Sequence, residues 1–105
     1  MDPIYGQKDL SAATVTDITS IAATAKGSVN FSVCNRNASS VKVRLALSAT
    51  TATQAAKEYI EYDATIAANG VLERTGIYVK GLVYFTAYSD TANVSVTVTG
   101  PQEGA

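Results

Sequence analysis

Within the stretch EYIEYDATIAANGVLERTG (residues 58–76) lie Glu58, Glu61, Asp63 and Glu73. Three of these acids, Glu58, Glu61 and Asp63, flank tyrosines and are the raw material of acid/base chemistry. A glycosidase-like pair needs two carboxylates facing each other across a cleft, normally from different strands. On one strand, Glu61 and Asp63 would share a face with Tyr59, about 6.5–7 Å apart, while Ile60 and Tyr62 share the other. Two acids side by side on a flat face are more simply a charged surface, paired across the sheet with Lys42, Arg44 or Arg74. Calcium needs converging oxygen ligands from a loop such as D-x-D-x-D-G, and no such loop occurs.

The rest of the chain offers these acids little catalytic help. Among 105 residues there is no histidine and one cysteine, Cys34. That removes the commonest general base and metal ligand, the Ser-His-Asp and Cys-His nucleophiles, and any internal disulfide. Cys34 is expected to act as a small hydrophobe. Gly76, Gly81 and Gly100 stand alone, outside any phosphate-cradling pattern, and read as turns or bulges. No cofactor or metal is expected, and no enzyme. Eight basic and nine acidic residues give a net charge of −1, with no basic stripe for nucleic acid. No apolar run is long enough for a membrane helix, and MDPIYGQKDL lacks a signal-peptide pattern. Synthesis in a reducing cytoplasm is the expectation.

The elements that must carry these residues are strands, because apolar residues recur with period two. Val29, Phe31 and Val33 alternate with Asn30, Ser32 and Cys34. Val41, Val43, Leu45 and Leu47 do the same, as do Val94, Val96 and Val98. LVYFTAYS is apolar on both phases, which suits a strand covered on both sides or at an interface. Strands are predicted near 14–20, 28–36, 40–48, 58–66, 71–79, 82–89 and 93–99. Turns fall at NRNASS, AANG and SDTAN, and Asn69-Gly70 signals a hairpin between YIEYDATI and VLERTGIYV. Residues 50–59 fit one helical turn or a loop.

The predicted fold is all-β: a single antiparallel β-sandwich, Ig-like or jelly-roll-like, of about seven to eight short strands. The expected divisions are an extended N-terminal arm (1–10), a sandwich (11–100) and a polar C-terminal tail (101–105). Ile4 and Tyr5 in the arm would dock on a neighbour. Tyrosine is enriched in protein contacts, so the expected contact set is Ile4, Tyr5, Tyr59, Glu61, Asp63, Tyr84 and Tyr88.

The blocks VNFSVCNRNASSVKVRLALS, YIEYDATIAANGVLERTGIYV and VYFTAYSDTANVSVTVTG carry a resemblance covering about residues 28–100. They resemble small β-rich virion proteins and fibre-associated modules of tailed bacteriophages, especially those of marine and aquatic bacteria. The N-terminal side departs from that pattern: DITSIAATAKG stands where such modules often carry a Y-T-V-P-A-G-K type segment. The resemblance implies a structural virion component, with a capsid decoration (cement) protein as the leading role and a tail, neck or fibre-base protein as the alternative. The implied partners are other virion proteins, the major capsid protein or tail components, in a homo-oligomer for which three copies is one form. It implies a place on the particle exterior, and the charge pattern and short apolar runs add the expectation of no nucleic-acid or membrane partner. A second alternative, from the residues alone, is a module binding carbohydrate or host surface. There Tyr59, Tyr84 and Tyr88 would stack sugars, and Glu61 and Asp63 would accept hydroxyl bonds.

Overall fold

The computed structural model describes residues 3–103. Nine strands follow one another: β1 (Ile4–Leu10), β2 (Thr16–Ile21), β3 (Lys26–Asn35), β4 (Val41–Ser48), β5 (Tyr59–Ile66), β6 (Val71–Lys80), β7 (Val83–Ser89), β8 (Val94–Gly100) and β9 (Gln102–Glu103). They form two antiparallel sheets, one ordered β1-β8-β3-β6 with β9 clipped to β3, the other β2-β7-β4-β5. That order is the two-Greek-key jelly roll and settles the choice between the two sandwich types. The alternating residues explain the packing. Val29, Phe31 and Val33 of one sheet meet Val43, Leu45, Phe85 and Ala87 of the other, all fully buried. The Phe31 and Phe85 rings meet edge to face at 6.0 Å in the centre.

The seven sequence-predicted strands are all present, with ends shifted by one or two residues. The ends of the chain differ from expectation. Residues 4–10 are not an arm but a strand, paired along its length with β8 from Ile4↔Gly100 to Leu10↔Val94. Ile4 and Leu10 are buried and cap the core. Gln102–Glu103 of the expected tail pairs with β3. Met1, Asp2, Gly104 and Ala105 lie outside the described residues. Residues 50–59 form a loop ending in one 3-10 turn, Ala56–Glu58.

The Asn69-Gly70 turn does not make the predicted hairpin. β5 and β6 belong to different sheets and do not pair. A type I′ hairpin turn needs positive φ at both central residues, and here only Asn69 has it (57°). The turn instead carries the chain from one sheet to the other, as do 36–40 and 90–93. The hairpin within a sheet is β4–β5, through the long 49–58 loop.

One buried side chain holds the turns together. Asn35, at the end of β3, is fully buried. Its amide nitrogen donates to the carbonyls of Ser39, Ile66 and Ala67 at 2.9–3.2 Å. Its oxygen accepts from the backbone and side-chain nitrogens of Asn37, both at 2.9 Å. The Asn37 side chain donates onward to the Ala92 carbonyl. Three sheet-crossing loops are thereby tied to one point.

The two flanks of the sandwich close differently. At the β1|β2 flank, Gly6 packs so tightly that an added Cβ would sit 2.4 Å from the Ile18 carbonyl oxygen. At the β5|β6 flank, the sheets are bridged by an ion pair between Arg74 and Glu61. Replacing Asn35 with alanine leaves the buried Ile66 carbonyl and the part-buried Ser39 and Ala67 carbonyls without that donor. Unsatisfied buried groups cost about 1–3 kcal/mol each where water cannot reach them. Asn35→Ala is therefore expected to lose about 2–3 kcal/mol, read as a lower urea midpoint with an unchanged slope.

Candidate functional site

Glu58 is the first of the acids in the opening stretch, and it is committed to the backbone. Its two carboxylate oxygens accept from Ala55 N (2.8 Å) and Ala49 N (2.9 Å), closing the 49–58 loop. Those two bonds lower its pKa, that from Ala55 most. The loop lies over the outer face of the β2-β7-β4-β5 sheet. There Gln54 donates to Thr86 Oγ1, and Ala46 and Thr86 are fully buried beneath it.

Glu61 and Asp63 do not share a face, contrary to the strand periodicity. Leu45 pairs with Glu61 and Val43 with Ala64, so Tyr62 and Asp63 both stand opposite Arg44. This is a β-bulge, and Asp63 takes a φ of 51° to make it. Aspartate is among the few residues that tolerate that region. The bulge turns Glu61 toward Arg74 at the flank and leaves Asp63 on the outer face. A second register shift at Ile60 places Tyr59 beside Tyr62.

The result is a compact cluster around Arg44. Its guanidinium donates to both oxygens of Asp63, at 2.6 and 3.3 Å. The same group lies 4.4 Å from the Tyr62 ring centre and 4.9 Å from that of Tyr88. Tyr59 meets Tyr62 edge to face at 4.8 Å. The hydrogen bond from Arg44 holds the Asp63 carboxyl below its ordinary pKa, and the same bond raises that of Arg44. Planar guanidinium suits this double duty, forked to a carboxylate and stacked on rings, in a way an ammonium cannot match.

Of the expected contact residues, Tyr59, Asp63 and Tyr88 meet at this cluster. Tyr84 lies four residues before Tyr88 on β7, flanked by Ser20 and Ser48. Tyr5 is exposed on the other sheet, its hydroxyl bonded to Gln7. Glu61 is spent at the flank. Ile4 is 3% exposed and packs in the chain's own core, so it offers no contact to a neighbour. The periodicity had put Tyr62 on the wrong face; it is 59% exposed and forms the lid of the cluster. Cys34 is half-buried on the outer face of its sheet, opposite Ser95 and Val71.

The arrangement lacks the geometry of acid/base chemistry. A groove of about 380 Å³ beside the cluster, at the end of the sandwich away from Asn35, is lined by Leu47, Tyr59, Ile60, Leu82 and Val83 with Lys57 and Glu58. Glu61 and Asp63 do not line it, and its one carboxylate has a lowered pKa. Among the described residues no three His, Cys, Asp or Glu side chains converge to hold a metal ion.

The Arg44–Asp63 pair gives stability a pH dependence whose sign follows from the lowered carboxyl pKa. The contribution is present above the unfolded aspartate value of about 3.9 and is lost as pH falls through the lower folded value. Asp63→Asn is expected to unfold at lower urea than the wild type at pH 7. The two urea midpoints are expected to converge at pH 2.

No family model matches the chain. No curated protein matches it either. Among solved structures it is similar to a chain in the structure of infectious bursal disease virus Gx strain, at 11% identity and a TM-score of 0.36. The match covers 99% of this chain and 26% of that one, so the chain spans about a quarter of its length. A likeness of that size carries no weight for function.

Proposed function

We propose that this chain is a non-enzymatic structural component of a tailed-phage virion, most specifically a decoration protein on the capsid exterior. The observation that carries the reading is the Arg44 cluster. Tyrosine and arginine are the side chains that most often anchor protein interfaces. Here they are already locked by Asp63 and by each other, so little side-chain freedom remains to be lost on docking. The exposed Tyr62 ring presents that anchor to a partner.

Two further features support a scaffold role. The blocks that carry the phage resemblance contribute loop braces: Asn35 and Asn37 from CNRN, Ala67 from AANG, and Ala92 from SDTAN. The jelly roll also recurs in viral capsid domains, which is a fold-level analogy and not a site argument. The mechanism is geometric. A rigid sandwich seats its tyrosine face on a shell subunit, and repetition over the particle turns weak contacts into firm attachment. The tail, neck or fibre-base role uses the same face on a different partner.

Jelly rolls also serve as lectin domains, but the cluster argues against sugar binding. Asp63 is occupied by Arg44, Glu61 by Arg74, and the guanidinium stacks on Tyr88. The carboxylates that would accept sugar hydroxyls are already engaged.

Added to particles lacking it, the purified protein is expected to bind stoichiometrically and to appear by cryo-EM on the shell. Tyr62→Ala is expected to weaken binding by at least about tenfold, in the range of an interface anchor, with thermal stability nearly unchanged. Density confined to the tail would select the tail role. No binding to any particle component would end the virion reading.

A further inference from the structure

We infer that β6 is a self-association edge, pairing antiparallel with β6 of a second copy about a two-fold axis. Each sheet has two free edges, and the four are not alike. β2 is six residues long and is interrupted at Ile18 by a register shift. β5 carries two such shifts. β1 points Lys8 inward, on the phase it shares with Ile4 and Leu10. Short, bulged or inwardly charged edges are the usual guards against strand addition. β6 also has one register shift, at Gly76, and an inward arginine, but it is the longest of the four, at ten residues, and its inward Arg74 is already paired with Glu61.

Five large apolar side chains are exposed among the described residues: Tyr5, Tyr62, Val71, Tyr78 and Leu82. Val71 and Tyr78 are on β6, and Leu82 is in the turn that leaves it. β6 also carries Glu73 and Lys80, which make no side-chain hydrogen bond or ion pair with any described residue. By contrast Asp9, Asp17, Glu58, Glu61, Asp63 and Asp90 each have a partner.

The bulge in β6 is what makes these residues complementary. Glu73 and Lys80 are seven positions apart, which in a regular strand puts them on opposite faces. Gly76, at a φ of 69°, adds one residue and donates its N–H to the Asn30 side chain. After it, Glu73 stands opposite Ser32 and Lys80 opposite Lys26, residues six apart on β3. Both side chains therefore leave the same outer face, and their backbone groups point the same way, as an antiparallel pair requires.

A two-fold axis at Ile77 then sets Glu73 against Lys80 of the partner subunit, twice. The same register brings Thr75 to the partner subunit's Tyr78 and Val71 beside the partner subunit's Leu82. Such an interface is isologous, with charge and apolar contacts each repeated by symmetry. Main-chain bonds across the edge give affinity, and the side chains set the register.

The test is sedimentation of the full chain at about 100 μM, a concentration that populates dimers of micromolar affinity. The wild type is expected to be a dimer. Glu73→Lys puts lysine against lysine twice, and Lys80→Glu puts glutamate against glutamate twice. Each variant alone is expected to weaken association by at least about tenfold. Mixed one to one they are expected to form a heterodimer, since every crossed pair is then opposite in sign. Circular dichroism on each variant checks the fold, which these exposed substitutions leave intact. A monomeric or trimeric wild type, or two variants that do not rescue each other on mixing, would overturn the proposal. This result is separate from particle binding, which reads the Arg44 face and not the β6 edge.

Discussion

The carboxamide of Asn35 is the constraint on which the loop end of this sandwich depends. A jelly roll must carry its chain between sheets repeatedly, and each crossing leaves backbone groups that no sheet satisfies. Asn35 answers this with one side chain whose donor and acceptor are both used, fully out of water. An amide can do this because it offers a donor and an acceptor in one plane. Neither an aspartate nor a leucine of similar size could serve both sides. Asn37 extends the same logic to the loop before β8. With the loops tied, the strands leave that end at fixed spacing, and the valine-rich inner faces meet in register.

Electrostatics divides the same way. All three arginines are committed: Arg36 to Asp9 and Ser95 across the β1-β8-β3 face, Arg44 to Asp63, and Arg74 to Glu61. Each joins strands that the backbone ladder does not join directly, or covers a face that rings share. These pairs are partly exposed, and their worth lies more in holding geometry than in raw stability. Arg74 and Glu61 act at the flank where no glycine allows the backbones to approach as Gly6 does.

Much of this architecture was legible in the residues. Alternation in β3, β4 and β8 is clean because one face of each meets only core, so the period of two survives untouched. Arg44 was also readable as the partner of Asp63, a basic residue on a neighbouring outward phase, whereas Arg74 reaches Glu61 from the inner phase of the other sheet and not across one sheet. β1 was not, because Gly6 and Lys8 occupy two of its four inner positions and blank out the apolar pattern. The face of Tyr62 was lost for a different reason. A bulge shifts the phase by one, and it depends on whether a single residue, Asp63, takes a positive φ. Neighbouring residues do not announce that choice. Asn69-Gly70 gave the turn correctly and its destination wrongly, since local geometry says nothing of which sheet the next strand will join. The depth of Asn35 escaped for the same reason: its acceptors lie 31 and 32 residues away.

The bulge at Gly76 has an evolutionary consequence. Strand alternation works as a reading frame, and one residue more or less re-reads everything downstream. Deleting Gly76 would swap Ile77 and Val79 outward and Tyr78 and Lys80 inward, even though every side chain remained. A changed side chain in β6 is therefore a local event, whereas a changed residue count shifts the phase of everything after it, as in a codon frame.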